Sequence, residues 1–108
     1  MNESEWIWHN GQLVPWHEAT VHVLTHGLHY GSSVFEGIRV YPTPDGSRVF
    51  RLQAHTERMF DSARIHRIDI PYGHEDINAA SCAVVLENNL SNGAYIRPIA
   101  FRGYGDIG

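Results

Sequence analysis

Three arginines stand where a fixed positive charge could hold an anion. Arg39 and Arg97 lie among apolar neighbours in stretches that favour strands, and Arg58 lies in an amphipathic helical stretch. An unpaired charge beside a core is costly, so each guanidinium needs an anionic partner. That partner could be a ligand carboxylate or phosphate, which guanidinium binds through paired hydrogen bonds. The spacing alone favours the other interpretation, a carboxylate of the protein itself. The candidate protein carboxylates are Glu36, Glu57 and Asp61.

Aromatic residues and a glycine lie close to these arginines in the sequence. Tyr30, Phe35 and Tyr95 could line an apolar pocket, although the same residue types equally form an ordinary core. Gly37 and the glycines before it indicate a backbone that turns tightly or approaches another group. Their spacing matches neither a dinucleotide fingerprint nor a P-loop with its lysine, so no nucleotide cradle is predicted.

Three histidines, His22, His26 and His29, have a spacing that metal ligands also show. Three imidazoles can bind Zn²⁺ and leave a fourth position open. No acidic residue stands at the offset of a His-Glu-x-x-His motif, so we predict no metal site and expect hydrogen-bonded loop residues. A small histidine-rich metal protein stays as an alternative.

The composition excludes several classes of function. All eight basic residues are arginine, so amine side-chain chemistry is impossible within this chain. The formal net charge of −4 and the dispersed arginines argue against a nucleic-acid partner. The apolar runs are too short to span a membrane.

The single cysteine, Cys82, excludes an internal disulfide and favours a reducing compartment. Its apolar surroundings predict a small buried residue in a helix. The acidic N-terminus carries no secretory signal, so the expected location is the cytoplasm.

The first half of the chain predicts short strands joined by turns. Residues 6–9 and 12–14 form a hairpin around Asn10 and Gly11, because a type I′ turn needs positive φ at both positions. Pro15 should end the second strand. Further extended segments are predicted at 21–24, 34–41 and 48–52, with a turn at 42–47.

The second half predicts two helices and a final strand. Residues 52–67 carry one apolar stripe at helical spacing, made of Leu52, Thr56, Met59, Phe60 and Ala63. Residues 75–89 form the second helix, whose predicted core side is Ile77, Ala80, Ser81 and Val84. Residues 94–101 are rich in β-forming residues, although Pro98 argues for an edge or a bulge.

This order of elements indicates one α+β domain over residues 1–108, an antiparallel sheet with two helices packed on it. The chain stops directly after a strand, which suggests truncation.

Several stretches together resemble the branched-chain amino-acid aminotransferases, pyridoxal 5′-phosphate enzymes of fold type IV. They are WIWHNG at 6–11, HYGSSVFEGIR at 29–39, HTERMFDSA at 55–63 and AYIRP at 94–98. The resemblance covers nearly the whole chain in the right order, and the motifs are specific as a set.

The resemblance implies the small N-terminal domain of a two-domain subunit, with the cofactor in the cleft between the domains. Arg58 would bind the cofactor phosphate. Phe35, Gly37 and Arg39 would face the substrate, Gly37 leaving space and Phe35 packing against an aliphatic side chain.

Tyr95 and Arg97 share a strand face because they are two residues apart. The resemblance implies that both contact substrate and that Arg97 suits the distal carboxylate of glutamate. Tyr30 and the loop near 106–108 would reach the neighbouring subunit's site, which implies a homodimer or larger homo-oligomer.

The implied reaction of the full-length enzyme moves the amino group of leucine, isoleucine or valine to 2-oxoglutarate, giving a 2-oxo acid and glutamate. The family's Schiff-base lysine lies in the large C-terminal domain. Because this chain has no lysine, no catalytic residue is assigned in it, and we predict that it is inactive alone.

Two alternatives stay open. D-amino-acid aminotransferases and aminodeoxychorismate lyases share the fold, although FEGIR with YIR favours the branched-chain group. A non-catalytic binding or dimerisation domain is supported by the missing lysine.

Overall fold

The computed structural model describes residues 4–90 and 93–103, which form short strands around two long helices. The strands are β1 Trp6–His9, β2 Gln12–Pro15, β3 Ser33–Phe35, β4 Ile38–Thr43, β5 Gly46–Val49, β6 Ala94–Ile96 and β7 Ile99–Phe101. The helices are α1 His26–Tyr30, α2 Leu52–Ile65 and α3 His74–Glu87, with a 3₁₀ turn at Trp16–Glu18. The predicted α+β class with antiparallel pairing is confirmed.

A long antiparallel ladder is the frame of the molecule. β3 pairs with β7 and β4 pairs with β6, and both pairs share one register, with Phe35 opposite Ile99 and Ile38 opposite Ile96. The predicted strands 34–41 and 94–101 therefore exist, each interrupted at the same level. We call residues 33–40 and 94–101 together the long ladder.

The interruption lies where Glu36 and Gly37 face Arg97 and Pro98. Pro98 has no N–H to donate to the ladder, although its carbonyl still accepts a bond from the Glu36 N–H at 3.1 Å. β6 is an edge strand, as Pro98 predicted, and the unbroken register shows that no bulge residue is inserted.

Both predicted hairpins are present, although β5 ends at Val49, so the predicted strand at 48–52 is wrong beyond that residue. Asn10 and Gly11 have φ of 49° and 96°, as the turn between β1 and β2 requires. β4 and β5 pair out to Thr43 and Gly46, so the turn between them is shorter than the predicted 42–47.

The predicted extended segment at 21–24 is wrong. Its residues form an irregular loop and a turn in which the Thr25 hydroxyl donates to the His22 carbonyl at 2.5 Å. The Leu24 N–H donates to His22 Nδ1 at 3.0 Å. These local bonds compete with strand pairing.

The core lies between the long ladder and the two helices. α2 packs against β3 and α3, and α3 packs against β1. The buried side chains are Thr25, Val34, Glu36, Ile38, Val40, Thr56, Met59, Ala63, Ile68, Ile77, Ala80, Ser81 and Val85. Three members of the predicted α2 stripe are among them, and α3 buries Val85 more deeply than the predicted Val84.

Cys82 is exposed, so its predicted burial is wrong. Ser81 and Val85 of α3 face the core, and a residue next to Ser81 is rotated about 100° around the helix axis. Within residues 4–90 and 93–103, no helix has the length and apolarity needed to cross a membrane.

Candidate functional site

One face of the long ladder gathers most of the residues that the sequence singled out. Side chains alternate along a strand, and directly paired residues share a face. The register therefore puts five of them on one side, which we call the open face: Phe35, Gly37, Arg39, Tyr95 and Arg97. Its aromatic members are largely exposed, whereas the opposite side carries the buried core.

Arg97 is held on the open face by aromatic groups. Its guanidinium carbon lies 4.4 Å from the centre of the Phe35 ring. Arg97 Nη2 donates to the Tyr95 hydroxyl at 3.0 Å. Among the described residues neither Arg97 nor Arg39 has a carboxylate partner, so for these two the protein-carboxylate interpretation is not supported.

Gly37 makes room for Tyr95. A Cβ on Gly37 would lie 1.9 Å from the Tyr95 hydroxyl and 2.7 Å from its Cζ. The resemblance implied that Gly37 leaves space beside the substrate, and that role stays a prediction. In the structure the Tyr95 hydroxyl and ring occupy the space next to Gly37. Gly37 therefore acts on the open face through Tyr95, by letting its hydroxyl reach Arg97.

Arg58 meets a carboxylate of the protein, as its spacing favoured. Arg58 Nη2 donates to Glu36 Oε1 at 2.7 Å, and Nε donates to Oε2 at 2.9 Å. His55 Nδ1 lies 2.7 Å from the same Oε1. His55 and Arg58 are three apart on α2, so both side chains reach the same side of the helix. We call Glu36, His55 and Arg58 the Glu36 cluster.

The electrostatics of this cluster favour a charged pair. The Arg58 hydrogen bonds lower the pKa of the Glu36 carboxyl, burial opposes that effect, and His55 adds to the lowering. Glu36 in turn raises the pKa of the Arg58 guanidinium. The carboxylate is only 6% exposed, whereas the Arg58 side chain is 67% exposed. The solvent-exposed guanidinium of Arg58 is thus paired with the buried carboxylate of Glu36.

The lowered pKa of Glu36 predicts a pH-dependent contribution to stability. A carboxyl whose folded pKa lies below its ordinary 4.5 stabilises the fold above that pH and loses this contribution as pH falls through the folded pKa. We expect Glu36→Gln to lower the melting temperature by about 5 °C at pH 7, and the difference from wild type to shrink in acid. Thermal unfolding by circular dichroism at several pH values measures it.

The matched control is Glu57→Gln, which changes an exposed carboxylate on the same helix. Its difference from wild type should stay small at every pH. A Glu36→Gln difference that is independent of pH would contradict the assignment.

Tyr30 lies in α1, outside the long ladder. Its ring contacts the His26 and His29 rings, and its side chain is largely exposed. The described residues do not bring Tyr30 to the other predicted site residues, so its role toward a neighbouring subunit stays a prediction. The loop near 106–108 lies outside the described residues.

The histidines of the α1 region are hydrogen-bonded, as expected. His26 Nδ1 lies 2.6 Å from Ser32 Oγ, and His29 Nε2 lies 2.8 Å from the Val23 carbonyl oxygen. Within the described part of the chain, no three His, Cys, Asp or Glu side chains converge as metal ligands. The described residues therefore contain no ligand set that would support the metal-protein alternative.

A cavity of about 610 Å³ lies between β1, α3 and β6, and Tyr95 and Arg97 of the open face also contribute to its lining. Tryptophans from the N-terminal hairpin region and aliphatic residues from α3 form most of its wall. Its lining residues include no carboxylate or imidazole, so the cavity offers no acid or base. The candidate site residues therefore form two groups, the open face and the Glu36 cluster, and Glu36 lies on the other side of the long ladder from the open face.

Sequence reasoning did not place Glu36 and His55 in a functional role. The sequence indicates Glu36 only as a possible partner of an arginine. The available signal was its position between Val34 and Ile38 on the apolar side of an alternating strand, because an acid there must find a buried partner.

Comparison with known proteins gives matches over the whole chain. Residues 33–108 match the family described as amino-transferase class IV. A branched-chain-amino-acid aminotransferase of Pseudomonas aeruginosa is 58% identical over 102 residues, which are 94% of this chain and 33% of that protein. The enzyme of that name from Escherichia coli K12 is 45% identical over 106 residues, covering 98% of this chain and 33% of its own length. The chain thus spans about a third of the length of these relatives.

Solved structures show the same fold. A T.th. branched-chain amino acid aminotransferase, complexed with N-(5′-phosphopyridoxyl)-L-glutamate, superposes with a TM-score of 0.94 and 44% identity. The match covers 100% of this chain and 36% of that one. The Escherichia coli structure gives a TM-score of 0.91 at 44% identity and covers 98% of this chain and 34% of its own.

Proposed function

Since the chain belongs to the class IV aminotransferase family, we propose that residues 1–108 are the N-terminal domain of a longer pyridoxal 5′-phosphate-dependent transaminase subunit. Its substrates would be leucine, isoleucine or valine with 2-oxoglutarate, and its products a branched 2-oxo acid and glutamate. The names of the relatives support this substrate class. One structure of the T.th. enzyme holds a phosphopyridoxyl-glutamate and another holds 4-methylvaleric acid, so that relative binds both an acidic and a branched aliphatic group.

The substrate proposal rests on one observation on the open face. The guanidinium carbon of Arg97 lies 4.4 Å from the centre of the Phe35 ring. The positive charge of Arg97 and the apolar ring of Phe35 thus lie next to each other. The ring can pack against a branched side chain, and the guanidinium can bind a distal carboxylate. Tyr95 holds the guanidinium through its hydroxyl, and Arg39 adds a second positive charge to the face.

The cofactor proposal rests on Arg58. Its guanidinium is solvent-exposed yet anchored by a buried carboxylate, which suits the binding of a phosphate dianion. When bound, the cofactor supplies the electron sink for amino-group transfer. This chain contributes the phosphate contact and the substrate-side wall, and an amine nucleophile must come from outside these residues because the chain contains no lysine.

The exposed aromatic residues of the open face and the exposed Tyr30 should contact other parts of the assembled protein. We propose that the large C-terminal domain of the same subunit packs over the open face, whose Phe35 and Tyr95 are 53% and 54% exposed. Tyr30 would reach the site of a second copy in a homodimer or larger homo-oligomer.

The proposed location is the cytoplasm, in keeping with a single unpaired cysteine.

The test is an amino-transfer assay of the full-length protein with pyridoxal 5′-phosphate, leucine and 2-oxoglutarate. We expect glutamate to form only when both substrates are present. D-alanine in place of leucine tests the D-amino-acid alternative, and pyruvate release from aminodeoxychorismate without an acceptor tests the lyase alternative. Absence of glutamate formation would favour a non-catalytic domain.

The 108-residue chain assayed alone should give no turnover above a no-protein control. The physical reason is the missing amine, since no other side chain here forms the covalent link to the cofactor. Turnover by the chain alone would overturn the assignment of that step to another domain.

A further inference from the structure

We propose that Glu36 is a positioning residue that orients Arg58 toward the cofactor phosphate, and that His55 fixes Glu36 in turn. This inference rests on the proposed function, because it assigns the Arg58 guanidinium to the phosphate. Glu36 itself touches neither cofactor nor substrate in this role.

Glu36 occupies one edge of the Arg58 guanidinium and leaves another edge open. A guanidinium carries five N–H groups in a planar fork. Glu36 takes the edge made by Nε and Nη2, at 2.9 and 2.7 Å. Among the described residues, Arg58 makes its hydrogen bonds to Glu36 alone. The edge formed by Nη1 and the second N–H of Nη2 remains for an anion, with the paired geometry that phosphate oxygens accept.

Glu36 is itself held in place by burial and by hydrogen bonds. Its carboxylate is 6% exposed and lies 2.7 Å from His55 Nδ1. Its backbone N–H donates to the Pro98 carbonyl at 3.1 Å across the long ladder. A side chain that is tied to the sheet at one end and to α2 at the other can serve as a fixed reference for Arg58.

The exposed side chain of Arg58 needs such an anchor. A long side chain that is 67% exposed would sample many rotamers without an anchor. Holding it in one conformation before the ligand arrives lowers the entropy cost of binding. The negative charge of Glu36 also repels a phosphate, but the solvent around Arg58 screens this longer-range effect more than it weakens the direct hydrogen bonds. We therefore expect orientation to dominate.

The experiment compares the dissociation constants of pyridoxal 5′-phosphate and of pyridoxal in the full-length protein. The dissociation constant of pyridoxal divided by that of pyridoxal 5′-phosphate measures the preference for the phosphorylated form, and this ratio isolates the phosphate contact. We expect Glu36→Gln to reduce this ratio about tenfold, because the amide nitrogen cannot accept from the guanidinium. Arg58→Ala should remove most of the preference, and adding Glu36→Gln to Arg58→Ala should change the ratio no further.

Glu57→Gln is the matched control, and its ratio should equal that of wild type. The positioning role is overturned if Glu36→Gln weakens the binding of both ligands equally. It is also overturned if Glu36→Gln leaves the ratio unchanged while Arg58→Ala lowers it. In both cases the proposed function stands. If the wild-type protein binds no pyridoxal 5′-phosphate, the proposed function fails instead. Should Glu36→Gln not fold, His55→Gln replaces it, with an expected ratio about threefold below wild type, and an unchanged ratio would overturn the role.

Discussion

Replacing Arg58 with alanine should weaken retention of pyridoxal 5′-phosphate by the full-length protein about 100-fold, through loss of charge-assisted hydrogen bonds to the phosphate. Arg58 is the described cation that combines an exposed guanidinium with a buried counter-charge. Substrate preference should change far less, because the open face lies on the other side of the long ladder from Glu36. Titration of the apoprotein with cofactor, followed by absorbance, measures the effect.

The matched control is Arg64→Ala on the same helix. Arg64 is also exposed and forms a pair with Asp61, but that carboxylate is itself exposed. Its loss should leave cofactor affinity within about twofold of wild type, as expected for an exposed pair. Unchanged cofactor affinity in Arg58→Ala would show that Arg58 does not hold the phosphate.

Replacing Gly37 with alanine should lower kcat/KM for leucine about 100-fold in the full-length protein, because small displacements of positioning groups cost that much. The new Cβ would lie 1.9 Å from the Tyr95 hydroxyl, so the Tyr95 ring must move. Its bond to Arg97 and the placement of Arg97 over Phe35 would be lost together. Steady-state kinetics with leucine and with glutamate measures the change.

The fold should tolerate this substitution, since Tyr95 is 54% exposed and can swing toward solvent. We therefore expect a small change in melting temperature beside the large kinetic effect. Gly103→Ala is the control, because a Cβ there meets no atom within 4 Å. Wild-type kinetics in Gly37→Ala would mean that the position of Tyr95 does not matter for the reaction.

The alternation of residues along each strand could be read from the chain itself. Ile38 and Val40 alternate with Arg39 and Tyr41, and the structure buries the first pair and exposes the second. The helical stripe of α2 and the positive φ at Asn10 and Gly11 were predictable for the same reason. These features depend on neighbours within a few residues, so the local sequence contains the information.

The partners across the molecule were decided by tertiary structure. Only the pairing register puts Gly37 beside Arg97, and only the packing of α2 on the sheet brings Arg58 to Glu36 rather than to Glu57 or Asp61. The same packing turned α3 so that Cys82 faces solvent, and local bonds at His22 replaced the extended segment at 21–24.

For this protein, then, the sequence determined which residues could share a face, because side-chain direction repeats along the backbone. The structure decided which faces meet, because that choice minimises the free energy of the whole chain and depends on residues far apart in sequence. The buried carboxylate behind Arg58 belongs to the second kind, since Glu36 and Arg58 stand 22 positions apart.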